Sequence, residues 1–482
     1  MNELCQKGAV ELAGMIASRK VLSGDVVDAH LARIEEVNPG LNAITATLAD
    51  EARAAAAAVD RAIAAGKRLG PLAGVPFTVK SNIDVAGSPT TWGVAAMAGQ
   101  IAAKDAPLVA RLREAGAIPL ARTNLPDFAF RWDTESGVAG RTVNPWDPTR
   151  TPGGSSGGEA VALATGMTPL GFGNDLGGSL RVPSQMCGTT AIRPSRGRVP
   201  DAAVTEPPET LVIQMTHTQG PMARRVADLR VALEAISAPD ARDPRHVPAP
   251  LDGPAIGGRL RVAAVRNPAG IGIDPHVKAG IDRAADWLAD AGYDVVDAEP
   301  PQIMETMQAW VDAIWADIGV LWPSLKPIAG KGVLAFIEAL LAKGMFKPVD
   351  QAAQLGVWIK IHQLGAAWAE FLRDHPIILS PVCCEPAWPI GDDIARVEAV
   401  AAAMRMVVPV NILGLPSCAV PVGCDDGLPQ GVQLIGRRFR EDLLLDAAQA
   451  IEDRAPALLP IDPRASRQRQ GGAPARKLET VA

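Results

Sequence analysis

The sequence predicts an α/β fold: a single large α/β/α domain with a mixed, twisted central sheet flanked by helices. Short apolar runs alternate with amphipathic helical stretches over most of the chain, and this alternation predicts the layering. Between about residues 300 and 375 the pattern turns purely helical, which adds a helical insertion on top of that sheet.

The first 70 residues read as helices, at Glu11–Ala17, at Asp25–Val37 with Ser23 as the expected N-cap, and at Asp50–Ala65. Val75–Val79 is strand-like, Leu108–Ala115 helical and Ala117–Ala121 again strand-like. A Gly/Ser/Pro-rich middle runs from Asn144 to Ser195. The alternation then resumes with Leu260–Val265, the helix His276–Ala291 and Tyr293–Val296. In the insertion, Ile303, Met307, Trp310, Ile314, Ile318 and Leu321 repeat at helical spacing. Six of the ten tryptophans fall between Trp310 and Trp388; they bury the faces of the added helices, line a pocket, or do both. Strands return at Ile377–Leu379, Ser417–Val422 and Val432–Ile435, and Glu441–Glu452 is a closing helix. The expected organisation is therefore one domain over residues 1–462, with its core motifs at 75–200, the insertion at about 300–375, and a flexible polar tail at 463–482.

Composition excludes several functions. With 48% hydrophobic and 21% charged residues the chain is a globular protein, and a net charge of -6 without clustered Lys/Arg argues against nucleic acid as a partner. Met1 to Ala17 lacks a basic stretch followed by an unbroken apolar one, and no run of roughly 18 apolar residues occurs, so no membrane association and a cytoplasmic location are expected. The six cysteines are irregularly spaced, and Cys383-Cys384 has no His or second Cys pair at ligand spacing, so neither a disulfide framework nor a metal site is expected.

Chemistry concentrates in two Gly/Ser segments. Gly153-Gly154-Ser155-Ser156-Gly157-Gly158 sits between Pro152 and an apolar helix, which is no place for a flexible linker. Its Gly-x-Ser-x-Gly spacing matches a nucleophile elbow, but the three prolines between Asn144 and Pro152 exclude the strand that an elbow requires. The last histidine, His375, also lies too early to complete a His-based triad. The second segment, Asp175-Leu176-Gly177-Gly178-Ser179-Leu180-Arg181, offers the better nucleophile in Ser179, and the amides of Leu176, Gly177, Gly178 and Ser179 can point into one cavity as an oxyanion hole. Without histidine the base must be something else. Lys80, ending an apolar strand, can serve if burial lowers its pKa.

Lys80-Ser81-Asn82-Ile83-Asp84-Val85-Ala86-Gly87, Pro152 to Gly158 and Asp175 to Arg181 together resemble the amidase signature family. The likeness continues in Asn144-Pro145-Trp146-Asp147, Gly220–Arg224, Gly414-Leu415-Pro416 and Gly427–Gly436, and spans about Glu3 to Pro460. It implies a cofactor-free Ser-cisSer-Lys hydrolase: Ser179 attacks the carbonyl, Ser155 in a cis peptide after Gly154 relays the proton, and neutral Lys80 is the base. It further implies that Ser156 orients Lys80 and that Asp175 and Arg181 support the nucleophile, buried as an ion pair or lying on the surface. Trp132, Gly154, Trp310 and Trp315 are the expected substrate contacts. Two positions depart from the family pattern, Ser81 where Asp is common and Asn174 where Ser or Thr is common.

The family includes the amidotransferase component that makes glutaminyl-tRNA, aliphatic and aryl amidases, fatty-amide hydrolases, and hydrolases of lactam oligomers and carbamates. The Trp/Met/Leu-rich insertion favours a free-standing hydrolase of hydrophobic small-molecule amides, with carbamates and esters open to the same acyl transfer. The alternatives are a non-catalytic scaffold and a glutamine-hydrolysing amidotransferase subunit; a monomer or homodimer is expected.

Overall fold

The computed structural model describes residues 1–202, 209–347 and 350–464. Its centre is one sheet of eleven strands: β1 (Ile44–Thr47), β2 (Pro76–Lys80), β3 (Ile118–Thr123), β6 (Leu170–Asn174), β7 (Thr190–Arg193), β8 (Gln219–Ala223), β9 (Arg261–Ala264), β10 (Asp294–Asp297), β11 (Ile377–Pro381), β12 (Ser417–Asp425) and β13 (Leu428–Gly436). A separate two-stranded ribbon joins β4 (Glu135–Ser136) to β5 (Gly140–Arg141). The order across the large sheet is β1-β3-β2-β6-β8-β7-β12-β13-β11-β9-β10. It is mixed: β2 runs parallel to both β3 and β6, β9 runs parallel to β10 and β11, and the middle of the sheet is antiparallel.

Strand alternation divides the core. Phe77 and Val79 of β2 pack on one face with Leu12, Leu108, Leu229 and Ile281 from helices. The other face carries Leu31, Ala52, Val161 and Leu163, also helical. Thr78 and Lys80 alternate with Phe77 and Val79 and so point to the side where the Gly157–Ala164 helix lies. Helices therefore cover both faces. The insertion forms as expected, with helices at Ile303–Leu325, Lys331–Ala342 and Gln351–Asp374, and its aromatic residues, Phe336 among them, make a core of their own with Trp132.

Three local expectations are corrected. Ser23 is the first residue of its helix (Ser23–Leu41) and its hydroxyl donates to the Gly74 carbonyl; the free amides of Ser23 and Gly24 donate to the Asp60 carboxylate, reached from the next helix at 2.7 and 3.0 Å. The Gly/Ser/Pro-rich middle contains two central strands, β6 and β7. In β6 the strand signal is masked because Gly171 faces Glu159: a Cβ there would lie 2.3 Å from Glu159 Oε2. The expected tail from residue 463 begins with a seated side chain, since Arg464 lies over the Trp146 ring at 4.6 Å and donates to the Gly427 carbonyl. The remainder, 465–482, lies outside the described residues. No helix among the described residues is long and apolar enough to cross a membrane.

Candidate active site

The parallel trio β3-β2-β6 ends on Thr123, Lys80 and Asn174, so three polar side chains gather at the carboxyl edge of a buried sheet. Lys80 has no exposure to solvent, and its Nζ donates to Ser155 Oγ at 2.7 Å and to Asn174 Oδ1 at 2.7 Å. Burial lowers its pKa to about 7, against the opposing pull of Asp175 and Glu159.

Ser155 stands on the loop before the Gly157–Ala164 helix, and its peptide bond to Gly154 is cis. The loop is held tightly: Thr134 Oγ1 donates to the Gly153 carbonyl at 2.8 Å, and the Gly153 amide donates to Thr151 Oγ1 at 3.0 Å. Gly154 packs against backbone, since a Cβ there would lie 2.6 Å from the Arg131 carbonyl oxygen; it is a loop-packing residue and does not line the cavity described below. Ser156 differs from expectation as well. Its hydroxyl lies 3.5 Å from the Asn174 carbonyl oxygen and its amide donates to the Ser179 carbonyl at 3.2 Å, so it ties the two serine loops together while Asn174 is the side chain that fixes Lys80. Asn174 is itself held by donating from Nδ2 to Asn82 Oδ1 at 3.0 Å.

Ser179 follows β6 on a loop braced by Asp175. The pair Asp175–Arg181 is fully buried, with Arg181 Nε donating to Asp175 Oδ2 at 2.9 Å, which decides between the buried and surface readings. Burial works against the charged carboxylate, yet Arg181, Arg193 and the Asn411 amide together hold it well below the usual range. Arg181 also donates to Gln433 Oε1 and Asn411 Oδ1, which anchors the loop to β13 and to the Val408–Ile412 helix. One expected oxyanion donor is otherwise engaged. The Gly178 amide donates to Asp175 Oδ1 at 2.7 Å, and φ of +101° at Gly178 accommodates this turn of the backbone toward the carboxylate. The amides of Leu176, Gly177 and Ser179 have no protein acceptor among the described residues.

Two indoles set the outer wall. Trp132 Nε1 donates to the Gly177 carbonyl at 2.9 Å and Trp310 Nε1 to the Leu176 carbonyl at 3.1 Å, and the rings stack with centroids 6.3 Å apart. Pinning these carbonyls fixes the orientation of the peptide planes in the Leu176–Ser179 segment. Both tryptophans line a cavity that reaches Ser179 and is otherwise walled by residues such as Ile314, Phe336, Leu340 and Phe346. Trp315 stands one layer back, stacked on Phe346 at 4.4 Å. The insertion therefore supplies both lining and core.

Sequence reasoning missed Glu159. Its carboxyl accepts from Thr78 Oγ1 at 2.5 Å and Thr123 Oγ1 at 2.8 Å beneath Lys80, and burial raises its pKa to about 8 while those hydroxyls, Lys80 and Arg122 pull it down. Its position on a helix next to a Gly/Ser motif resembles that of any exposed first-turn acid, so nothing local marked it.

A model of the Amidase family matches residues 25–445. The chain is 41% identical to an indoleacetamide hydrolase of Bradyrhizobium diazoefficiens, over 94% of this chain and 87% of that one. It is 34% identical to a component of the glutamyl-tRNA(Gln) amidotransferase of Acidothermus cellulolyticus, over 94% of this chain and 95% of that one. The solved structure of 6-aminohexanoate cyclic dimer hydrolase superposes with a TM-score of 0.82 at 26% identity, covering 96% of this chain and 99% of that one. Fold and relatives together define an amidase-type hydrolase of carbon–nitrogen bonds. The chain belongs to the amidase signature family.

Proposed function

We propose that the protein hydrolyses amides with a hydrophobic, aromatic acyl group through an acyl-enzyme at Ser179. The observation that carries this reading is the buried Lys80–Ser155 contact of 2.7 Å, with Ser155 and Ser179 bordering one cavity and Ser179 also reaching the aromatic-walled one. Neutral Lys80 takes the proton of Ser155 as Ser155 takes that of Ser179, and Ser179 Oγ bonds to the carbonyl carbon. The oxyanion rests on the amides of Leu176, Gly177 and Ser179, each such donor being worth about 3 kcal/mol in the transition state. Collapse breaks the C–N bond, the nitrogen takes the proton back from Ser155, and water hydrolyses the ester by the same relay to release the acid and restore Ser179.

The cavity favours this over glutamine hydrolysis. Arg131 is the one charged residue among its described lining, and it is already committed to Asp393 at 2.9 Å and Glu135 at 3.0 Å, leaving no group to receive the charges of an amino acid. The test is a set of initial rates on an arylacetamide, a short aliphatic amide, glutamine, an aryl carbamate and a p-nitrophenyl ester, for wild type and Ser179→Ala. Aryl amide hydrolysis that vanishes in the variant supports the reading. Ammonia release from glutamine alone overturns the substrate class, and activity that survives in Ser179→Ala overturns the nucleophile.

A further inference from the structure

Two loops far apart in sequence meet at one corner of the molecular surface. The first, Arg19-Lys20-Val21-Leu22, joins the Ala9–Ala17 helix to the Ser23–Leu41 helix, and the second, Gly66-Lys67-Arg68-Leu69, follows the Ala49–Ala64 helix. They are tied together on both sides: Arg19 Nη2 donates to the Ile63 carbonyl at 2.7 Å, and the Ser23 and Gly24 amides donate to the Asp60 carboxylate. With Arg61 in the last turn of the Ala49–Ala64 helix, the corner gathers five exposed basic side chains, Arg19, Lys20, Arg61, Lys67 and Arg68. No single run of sequence holds this cluster, and the packing of the helices assembles it.

The charge is not neutralised in place. None of the five forms an ion pair among the described residues, whereas exposed arginines elsewhere, such as Arg53, Arg230 and Arg396, do. Two carboxylates stand at the corner and both accept from main chain, Asp60 as above and Asp25 from the Leu22 amide at 3.3 Å, so the cations outnumber them. Like charges this close repel one another, and an opposing anionic surface relieves that repulsion. Each loop also carries an exposed leucine beside its basic pair, Leu22 at 56% and Leu69 at 36% exposure. That mixture selects among polyanions. Single-stranded nucleic acid is held by stacking on aromatic side chains, and neither loop has one. An acidic peptide binds in a groove, and none of these residues lines a cavity that reaches Ser179. A lipid surface needs neither, since phosphates take the cations and the headgroup boundary takes the leucines.

We propose that this corner docks the protein on an anionic lipid surface, with Leu22 and Leu69 entering the headgroup layer and the five cations meeting its phosphates. The chain as a whole has a net charge of -6 and is repelled by such a surface, so docking takes one orientation and acts only within a Debye length of about 8 Å. The expectation of no membrane association rested on leader and spanning segments, and a contact assembled from two loops involves neither.

The experiment sediments the full chain with vesicles of phosphatidylcholine alone and of phosphatidylcholine mixed with phosphatidylglycerol, at low and at high salt. The expected result is partitioning onto the mixed vesicles at low salt at least about tenfold stronger than onto phosphatidylcholine, with the difference lost at high salt. The double variant Lys67→Glu, Arg68→Glu should weaken that partitioning at least about tenfold and Leu22→Ser about threefold, both with the wild-type circular dichroism spectrum and melting midpoint. A wild type that partitions no more strongly onto the mixed vesicles overturns the proposal. So does a double variant that folds and binds them as the wild type does. Binding of the wild type to polyglutamate without partitioning onto the mixed vesicles overturns the lipid partner and assigns the corner to an acidic polypeptide.

Discussion

At the scale of single residues, the site depends on a lysine that the fold strips of water. Because burial lowers Lys80 to about 7, its neutral form grows as pH rises through that value. kcat/KM for an arylacetamide should rise between pH 6 and 8 and level off above, which initial-rate profiles will show, and Lys80→Ala should lower the rate by about 10²- to 10⁴-fold and flatten that limb. Ser179→Ala should cost at least about 10³-fold in kcat with the fold intact by circular dichroism. Gly178 carries φ of +101°, and a Cβ there would lie 2.3 Å from Val407 Cγ1. Gly178→Ala should therefore lower stability by about 1–3 kcal/mol in urea titration. Lys80, Ser155 and Ser179 stood out as candidates in the sequence because few residue types suit such chemistry and each stood in a distinctive local setting. Glu159 and the role of Asn174 were not, because a side chain that acts through a partner some 80 or 90 positions away leaves no mark on its own neighbourhood.

At the scale of elements, the Ile303–Leu325 helix joins cavity lining to loop geometry. Its periodicity announced a helix, yet could not say which tryptophan faces the cavity, since Trp310 and Trp315 are both buried. Tertiary packing separates them. Trp310 lines the cavity and holds the Leu176 carbonyl, whereas Trp315 backs Phe346. Trp310→Phe keeps a ring but deletes the hydrogen bond, and steady-state kinetics should show kcat for an arylacetamide falling about tenfold, the kinetic equivalent of one such bond. β6 was hidden for the opposite reason: its glycines make room for Glu159 and Ser156, and a strand chosen for close approach lacks the β-branched residues that signal one.

At the scale of the whole molecule, Arg181 binds distant parts of the chain into one site. It joins Asp175 on the nucleophile loop to Asn411, 230 positions away, and to Gln433 of β13, 252 positions away. Arg181→Met leaves Asp175 as a buried charge without its nearest counter-ion, and a cost of about 3–5 kcal/mol in denaturant midpoint experiments is expected. The sequence by itself determined the α/β class, the alternation that builds the sheet, the helical insertion and the candidate residues for amide hydrolysis, because periodicity and Gly/Ser chemistry are local properties. Only the tertiary structure decided that Gly178 donates to Asp175, that Asn174 fixes Lys80, that the Asp175–Arg181 pair is buried, and that two cavities meet at Ser179. Each of those depends on side chains and peptide planes set by the packing of the folded chain, and no local pattern encodes such a meeting.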